Sequence, residues 1–293
     1  MEEKIRIENV TKKFGSYAAL DGISLSFEKG KIHGMIGRNG SGKTVLFKCI
    51  CGFLRVDDGA VLVDGKQIGK EIEAPESIGA IIETPGFLPG YSARQNLQFL
   101  AGIRRKIGKK EIDEAIRKVG LDPEAKKHVG KYSLGMRQRL GIAQTIMEEP
   151  SLLILDEPMN GLDNQGVQEM RQLFLKLKEE GKTILLASHN REDIAALCDT
   201  TVEIDRGKIT KTRTWTMADR HTTEKLLEGE RLSGKVTLFA KVTILPGDEL
   251  PYHEHHGETE VYHILSGEGI YQDNNKTYPM QAGMTTFCED GSG

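Results

Sequence analysis

The chain has 293 residues, of which 38% are hydrophobic and 28% charged, a composition that supports a packed core and excludes a fully disordered chain. Its 40 Lys and Arg against 43 Asp and Glu give a formal net charge of -3, which excludes nucleic-acid binding through a broadly basic surface. No run of about 18 apolar residues occurs, so the sequence predicts no membrane-spanning helix.

Short β-type runs alternate with longer helical runs from Lys4 to about Lys211. This order predicts an α/β domain with a mainly parallel sheet over residues 1–211. The predicted strands include Ile32–Ile36, Ile78–Ile82, Leu152–Leu155 and Thr183–Ala187, and the predicted helices include Val45–Cys51, Lys110–Val119, Met136–Met147 and Gln165–Glu179.

The pattern changes after Lys211. Residues 212–230 are polar and weakly patterned, which predicts a linker. Short strands separated by turn signals follow, at Lys235–Ile244, Glu260–Ser266 and Gly269–Gln272. We therefore predict a second, all-β domain over residues 231–293.

A glycine-rich motif follows the strand Ile32–Ile36. Residues 37–44 match the pattern G-x-x-x-x-G-K-[ST], placed between a strand and a helix as phosphate binding requires. The glycines let successive N–H groups face phosphate oxygens, and the helix adds its positive N-terminal end. An ordinary glycine-rich turn is the alternative. The residues predicted to bind the phosphates are Gly37, Asn39, Gly40, Ser41, Gly42 and Lys43, and the Thr44 hydroxyl is predicted to ligate Mg²⁺.

Two acids end the apolar strand Leu152–Leu155. Ligands in open α/β sheets collect at the carboxyl ends of the strands, so both carboxylates are expected beside the phosphate loop. Asp156 is predicted to hold Mg²⁺, directly or through water, and Glu157 to orient and polarise an attacking water.

With these two motifs the sequence resembles the ATP-binding cassette (ABC) ATPase family over about 210 residues. The segment Tyr132–Arg139 is similar to the family signature LSGGQ, with Ser133 and Gly135 retained but Leu134 and Met136 in place of Gly and Gln. The resemblance implies that Ser133 and Gly135 face a phosphate of the nucleotide on the opposite subunit.

Further positions follow the same resemblance. Asp163 lies in a segment similar to the loop that joins the two nucleotide sites, and His189 is similar to the switch histidine that contacts the γ-phosphate. Phe14 is similar to the aromatic residue that stacks on adenine. Core packing is the alternative role for Phe14, and Tyr17 is a nearby substitute in that case.

Glu83 departs from the family pattern, which usually has Gln after the strand that ends near Ile82. A carboxylate can ligate Mg²⁺ but cannot donate a hydrogen bond as an amide can. Together with the unusual signature, this departure resembles the bacterial subgroup that exports bacitracin and lantibiotic-type peptides. An ordinary surface acid is the alternative role for Glu83.

The resemblance implies a fold and a working unit. The fold is an α/β P-loop NTPase of ABC type, with a parallel-sheet core, an antiparallel β subdomain and a helical subdomain. One phosphate loop and one signature imply a head-to-tail homodimer, in which ATP binding closes two composite sites and hydrolysis releases them. The segment around Ser92–Gly102 is where such subunits grip separate membrane permease chains. The chain is therefore expected to be a cytoplasmic ATPase on the inner face of the cell membrane.

The C-terminal part resembles the cupin family. Residues 247–267 match its first motif, G-x5-H-x-H-x4-E-x6-G. The strand period of two puts His253 and His255 on one face, and a turn returns Glu260 beside them. These three side chains suit Fe, Mn, Zn or Ni. A solvent-exposed surface loop is the alternative location for the two histidines.

The cupin match stops before the family's second motif, where a further metal-binding His is usual. We therefore expect a truncated, partial cupin barrel, produced by a gene fusion or a frameshift.

Two other function classes are compatible with parts of the sequence. One is a soluble ABC ATPase of translation or DNA repair, although the second cassette or coiled-coil insertion typical of that class does not occur here. The other is a metal-dependent cupin enzyme or sensor with the cassette as its fusion partner, against which the incomplete ligand set counts.

Overall fold

Sixteen strands and six α-helices form in the part of the chain that the computed structural model describes, residues 2–214, 222–228, 238–244, 259–273 and 276–288. The chain divides into two compact units, Met1–Asp219 and Arg220–Gly293, which are described separately below. The predicted division into residues 1–211, 212–230 and 231–293 stays a prediction. Strand 208–214 passes the first predicted boundary, and strand 222–228 lies within the predicted linker.

The elements of the first unit alternate between strands and helices. The strands are β1 (Glu3–Phe14), β2 (Tyr17–Glu28), β3 (Ile32–Ile36), β4 (Asp58–Val63), β5 (Lys66–Gln67), β6 (Ile78–Ile81), β7 (Leu152–Asp156), β8 (Thr183–Ala187), β9 (Thr200–Asp205) and β10 (Lys208–Thr214). The helices are α1 (Lys43–Ile50), α2 (Ala93–Arg104), α3 (Lys109–Lys118), α4 (Leu134–Ile146), α5 (Asn164–Glu179) and α6 (Arg191–Leu197), and a 3₁₀ turn spans Val129–Lys131. No helix in the described residues is long and apolar enough to cross a membrane.

A six-stranded sheet carries the centre of this unit, in the order β10-β9-β3-β8-β7-β6. All its neighbours run parallel except β10, which returns antiparallel to β9. Every residue of β7 and β8 is buried, as expected for parallel strands covered on both faces. The predicted α/β core with a mainly parallel sheet is therefore confirmed.

A second, antiparallel sheet joins the same core in the order β2-β1-β4-β5. Its inward side chains, such as Ile5, Leu20 and Phe27, belong to one apolar cluster with Leu46 and Phe47 of α1. The first helix is thus packed between the two sheets. Burial of these side chains fixes where the loop before α1 lies.

Helix α3 packs on both α2 and α4, and the three helices form the predicted helical subdomain. α4 also crosses β6 closely, because a Cβ on Gly79 would lie 2.0 Å from the Thr145 carbonyl oxygen. The helix starts differ by one or two residues from the predicted ones. The Ser133 hydroxyl accepts from Met136 N at 3.2 Å and so starts α4 at Leu134, which apolar periodicity cannot reveal.

The second unit contains three two-stranded antiparallel ladders among the described residues. Its strands are β11 (Thr222–Glu228), β12 (Leu238–Thr243), β13 (Glu260–His263), β14 (Glu268–Asp273), β15 (Lys276–Gln281) and β16 (Thr285–Cys288), paired as β11–β12, β13–β16 and β14–β15. β13 ends three residues before the predicted Ser266, ahead of the left-handed Gly267. An all-β second domain was predicted from the turn spacing, and the described strands agree with it.

His33 is a buried titratable group in the centre of the main sheet. Its ring is 1% exposed, packs 5.0 Å from the Phe27 ring, and bonds the Glu28 carbonyl through Nε2 at 2.9 Å. Since a carbonyl only accepts, Nε2 carries the proton and Nδ1 accepts from the Thr200 hydroxyl at 2.6 Å. Burial lowers the pKa of His33 below its ordinary 6.5.

This burial predicts an acid-sensitive fold. Below pH 6.5 the unfolded chain binds a proton at residue 33 while the folded chain resists it, so the free energy of unfolding falls as the pH falls. The slope contributed by one such group is up to about 1.4 kcal/mol per pH unit. His33→Gln should flatten the slope relative to the wild-type chain in urea unfolding followed by circular dichroism. Equal slopes in the variant and the wild type would contradict the assignment.

Candidate functional site

The loop between β3 and α1 is shaped by glycines that no other residue replaces without strain. Gly40 and Gly42 have φ values of +78° and +114°, and Gly42 is the N-cap of α1. A Cβ on Gly37 would lie 2.3 Å from the Ile204 carbonyl oxygen. The loop is thus held against β9 below it, with the N-terminus of α1 at its end.

Lys43 and Thr44 begin α1 and face different partners. The buried Lys43 ammonium donates to the carbonyl oxygens of Gly37 at 2.6 Å and Arg38 at 3.2 Å. The Thr44 hydroxyl donates to Asp156 Oδ2 at 2.7 Å. The glycine loop is therefore joined directly to the carboxyl end of β7, 112 residues later in the chain.

Glu157, the residue after β7, has a left-handed backbone, φ +51°, which is uncommon for a non-glycine residue. Its N–H donates to the Ala187 carbonyl at 2.9 Å, and its carboxylate Oε2 lies 2.8 Å from His189 Nδ1. The Gln138 amide of α4 donates to its carbonyl at 3.3 Å. The ends of β7 and β8 and helix α4 together fix the position of this carboxylate.

Two aromatic rings stand at the tip of the β1–β2 hairpin. Phe14 and Tyr17 face each other across the turn, and their side chains are 49% and 54% exposed. The Tyr17 hydroxyl donates to the Gly40 carbonyl at 3.2 Å. Phe14 is therefore not a core residue, and the Tyr17 side chain reaches the edge of the glycine loop.

Glu83 follows β6, the neighbour of β7, and also has a left-handed backbone with φ +64°. Its carboxylate is 66% exposed and lies 2.6 Å from the ammonium group of Lys48 on α1. Glu83 is thus held near the same edge of the sheet, but its partner lies on the helix and not in the sheet.

These parts surround one cleft of about 650 Å³. Ten of the sequence-predicted residues line it: Phe14, Asn39, Gly40, Ser41, Gly42, Lys43, Thr44, Glu83, Asp156 and Glu157. Six residues that the sequence did not single out as site residues also line it: Ala19, Val45, Thr84, Leu134, Gln138 and Asn160. Tyr17, predicted only as a substitute for Phe14, lines it as well. Gly37 and His189 are not lining residues, but Gly37 accepts from Lys43 and His189 contacts Glu157.

The predicted signature and joining-loop residues lie at helix starts beside the cleft. Ser133 is the N-cap of α4, and Asp163 is the N-cap of α5, where it accepts from Gly166 N at 2.8 Å. Gly135 lies against the other segment, because a Cβ there would be 2.8 Å from the Gly161 carbonyl oxygen. The structure brings the two segments into contact with each other.

The donor set fits a magnesium–nucleotide ligand. A hydroxyl and a carboxylate, from Thr44 and Asp156, are oxygen ligands that Mg²⁺ prefers, and the Lys43 ammonium suits phosphate oxygens. Within the described residues, the Ser41 hydroxyl is a buried side-chain oxygen without a hydrogen-bond partner, and a ligand in the cleft can supply one.

The predicted transition-metal ligands of the second unit are only partly described. Glu260 begins β13, whereas His253 and His255 lie outside the described residues. Across the residues that can be described, no group of three or more His, Cys, Asp or Glu side chains could hold a metal ion. The cupin metal site therefore stays a prediction.

The comparisons with known families match both parts of the chain. The family described as ABC transporter matches residues 20–160, and the cupin domain family matches residues 240–293. An uncharacterised ABC transporter ATP-binding protein of Bacillus subtilis, YybJ, is 42% identical over 205 residues, which are 70% of this chain and 94% of that protein.

Two further ATP-binding proteins of ABC transporters are also similar to this chain. The bacitracin transport ATP-binding protein BcrA of Enterococcus faecalis is 44% identical over 201 residues, 68% of this chain and 65% of that protein. The solved structure of cbiO1 from Clostridium perfringens, part of the ABC transporter complex cbiONQ, has a TM-score of 0.64 at 28% identity. It covers 73% of this chain and 89% of that one.

The crowding at Gly37 generates a prediction. Gly37→Ala should displace the loop, since the Ile204 carbonyl belongs to the backbone and cannot move aside cheaply. We expect affinity for a fluorescent ATP analogue with Mg²⁺ to fall roughly tenfold or more, a change of at least 1.4 kcal/mol.

Gly86→Ala is the matched control, because a Cβ there meets nothing within 4 Å. Unchanged affinity in Gly37→Ala would show that the loop does not contact the nucleotide.

Proposed function

Because this chain belongs to the family of ABC transporter ATP-binding proteins and is an ABC ATPase, we propose that it powers export through separate permease chains by ATP-driven head-to-tail dimerisation. The observation that carries the proposal is the Thr44–Asp156 hydrogen bond of 2.7 Å, which joins the phosphate loop to the carboxylate pair. The fold, the family and the main function predicted from the sequence are confirmed, while the site roles below are proposals.

The proposed chemistry uses the groups already described. Lys43 and the loop N–H groups hold the β- and γ-phosphates, and the exposed rings of Phe14 and Tyr17 provide a stacking surface for adenine. Thr44 and Asp156 would hold Mg²⁺, which would neutralise phosphate charge when bound.

Hydrolysis requires a positioned water. Glu157 orients the water and accepts its proton as the oxygen attacks the γ-phosphorus and the bond to the β-phosphate oxygen breaks, releasing ADP and phosphate. His189, at 2.8 Å from Glu157 Oε2, holds that carboxylate. In the proposal His189 also contacts the γ-phosphate, as the family resemblance implies. The left-handed backbone of Glu157 is the strain that aims its side chain at the cleft.

The dimer proposal rests on the signature helix. The N-terminus of α4 carries Ser133 and Gly135 beside the 160–163 segment and presents N–H groups to an anion. In the proposed dimer this terminus faces the nucleotide bound by the partner subunit, and Asp163 lies where the two sites meet. Glu83 and the following segment transmit the change between the nucleotide and the permease.

The permease proposal rests on exposed apolar side chains around α2. Phe99 and Ile103 are 50% and 78% exposed and lie one helical turn apart, and Leu88 and Tyr91 are half exposed beside them. The Tyr91 and Phe99 rings meet edge to face at 5.0 Å. A contiguous group of exposed apolar side chains of this kind is typical of a protein–protein docking surface.

The proposed cargo is a peptide antibiotic or a similar drug, on the likeness to the bacitracin transport protein and on Glu83. The corresponding place for the chain is the cytoplasmic face of the cell membrane, beside the permease. The family likeness favours this function over the soluble ATPase and over the cupin enzyme or sensor.

The catalytic proposal predicts that Glu157→Gln keeps ATP binding but slows phosphate release about 10²–10⁴-fold, because an amide cannot accept the proton. ATP-bound dimers should then accumulate in size-exclusion chromatography with light scattering. Glu8→Gln, an exposed acid on β1, is the control and should behave as the wild type. Near-normal turnover in Glu157→Gln would contradict the assignment.

The docking proposal predicts that a multi-span membrane protein copurifies with the wild-type chain from detergent-solubilised membranes. In the variant Phe99→Asp this copurification should be lost. A buried carboxylate in an apolar interface is costly, so the complex should be lost while nucleotide binding is kept. Phe53→Asp changes a 67% exposed ring outside the patch and is the control. If mass spectrometry finds the same partner with both variants, the α2 patch is not the docking surface.

A further inference from the structure

We propose that Lys48 is a positioning residue that holds the Glu83 carboxylate at the rim of the cleft, away from the divalent cation. This inference rests on the proposed function and deepens it, because Glu83 lies between the nucleotide cleft and the docking segment. Lys48 belongs to none of the motifs that identify the family, and it is found only through its contact in the fold.

The geometry places Lys48 beside the cleft but not in it. Lys48 lies one helical turn after Thr44 on α1, so its stem runs along the same face of the helix. Its ammonium contacts Glu83 Oε1 at 2.6 Å, yet Lys48 is not among the residues that line the cleft, whereas Glu83 is. The carboxylate is therefore drawn outward by its partner.

The backbone around Glu83 is fixed, which leaves the side chain as the moving part. Glu83 has φ +64°, and Pro85 packs against α4, where a Cβ on Gly141 would lie 2.5 Å from Pro85 Cγ. β6 holds the other side through its parallel register with β7, Ile81 opposite Leu155. A change of partner for the carboxylate therefore requires only rotation of the Glu83 side chain.

The Lys48–Glu83 ion pair is weak enough for the Glu83 carboxylate to exchange the ammonium for a cation. Lys48 and Glu83 are 31% and 66% exposed, and an ion pair this open to water contributes little and breaks easily. Carboxylate oxygen is also a good ligand for Mg²⁺. The ammonium thus competes with the cation for Glu83, and this competition weakens cation binding. Direct repulsion between the solvent-exposed ammonium and the cation is screened and adds little.

The exchange takes place at the start of the segment that leads to the docking surface. Residues 84–92 connect Glu83 to α2, whose exposed side chains form the patch around Phe99. When Glu83 leaves Lys48, the start of this connection changes its electrostatic partner.

The test measures Mn²⁺ binding to the full chain with a saturating non-hydrolysable ATP analogue, by electron paramagnetic resonance of free Mn²⁺. Binding of Mn²⁺ to the free analogue is subtracted. We expect Lys48→Met to tighten Mn²⁺ binding roughly three- to tenfold. Lys48→Arg keeps the ion pair and should match the wild type.

The double variant separates a positioning role from simple charge removal. In a Glu83→Gln background, adding Lys48→Met should change Mn²⁺ affinity less than about twofold, because no carboxylate remains to be released. Unchanged or weaker binding in Lys48→Met overturns the proposal, and so does an equal effect in both backgrounds.

Failure of the proposed function gives a different experimental result. In that case the wild-type chain does not bind the analogue, and both proposals are overturned together. If the analogue binds equally to all variants while Mn²⁺ affinity does not respond to Lys48→Met, only the role of Lys48 is overturned.

Discussion

The site depends on one constraint, that the carboxyl ends of parallel strands meet at a single edge of the sheet. β3 ends at the glycine loop, β7 at Asp156, β8 beside His189 and β6 beside Glu83, so four distant segments converge. The hydrogen bond from Thr44 to Asp156 closes this arrangement across the sheet. A shift of register in any of these strands would separate the groups.

Two glutamates at this edge are restrained in opposite ways. Both have left-handed backbones, a strain that persists only where the surroundings hold it. Glu157 is bonded to Ala187 and His189 and points into the cleft, whereas Glu83 is drawn to Lys48 at its rim. The Glu157 carboxylate is held in the cleft, where the proposed hydrolysis takes place. The Glu83 carboxylate is held by an ion pair weak enough to be replaced by another partner.

The helical subdomain adds the surfaces that a working assembly needs. Its anchor is close packing at glycines, with Gly79 under α4 and Gly141 against Pro85, so a helix approaches the sheet edge closely. The same helix presents Gln138 to Glu157 and its N-terminus to the segment around Gly161. Helix α4 therefore contacts both the catalytic carboxylate and the segment proposed to meet the partner subunit.

The sequence by itself determined the parts whose signal is local. The phosphate loop, the strand ending in Asp156 and Glu157, the α/β order and the cupin pattern are contiguous motifs with fixed spacing. It could not place the Lys48–Glu83 pair, the Tyr17–Gly40 bond or the Gln138–Glu157 bond, which join residues 35, 23 and 19 positions apart. The starts of α4 and α5 also differ from the predicted ones by one or two residues, because the side-chain caps Ser133 and Asp163 and not apolar periodicity set them. Only the tertiary structure decided these contacts, since distances between separate elements follow from the packing of sheet and helices.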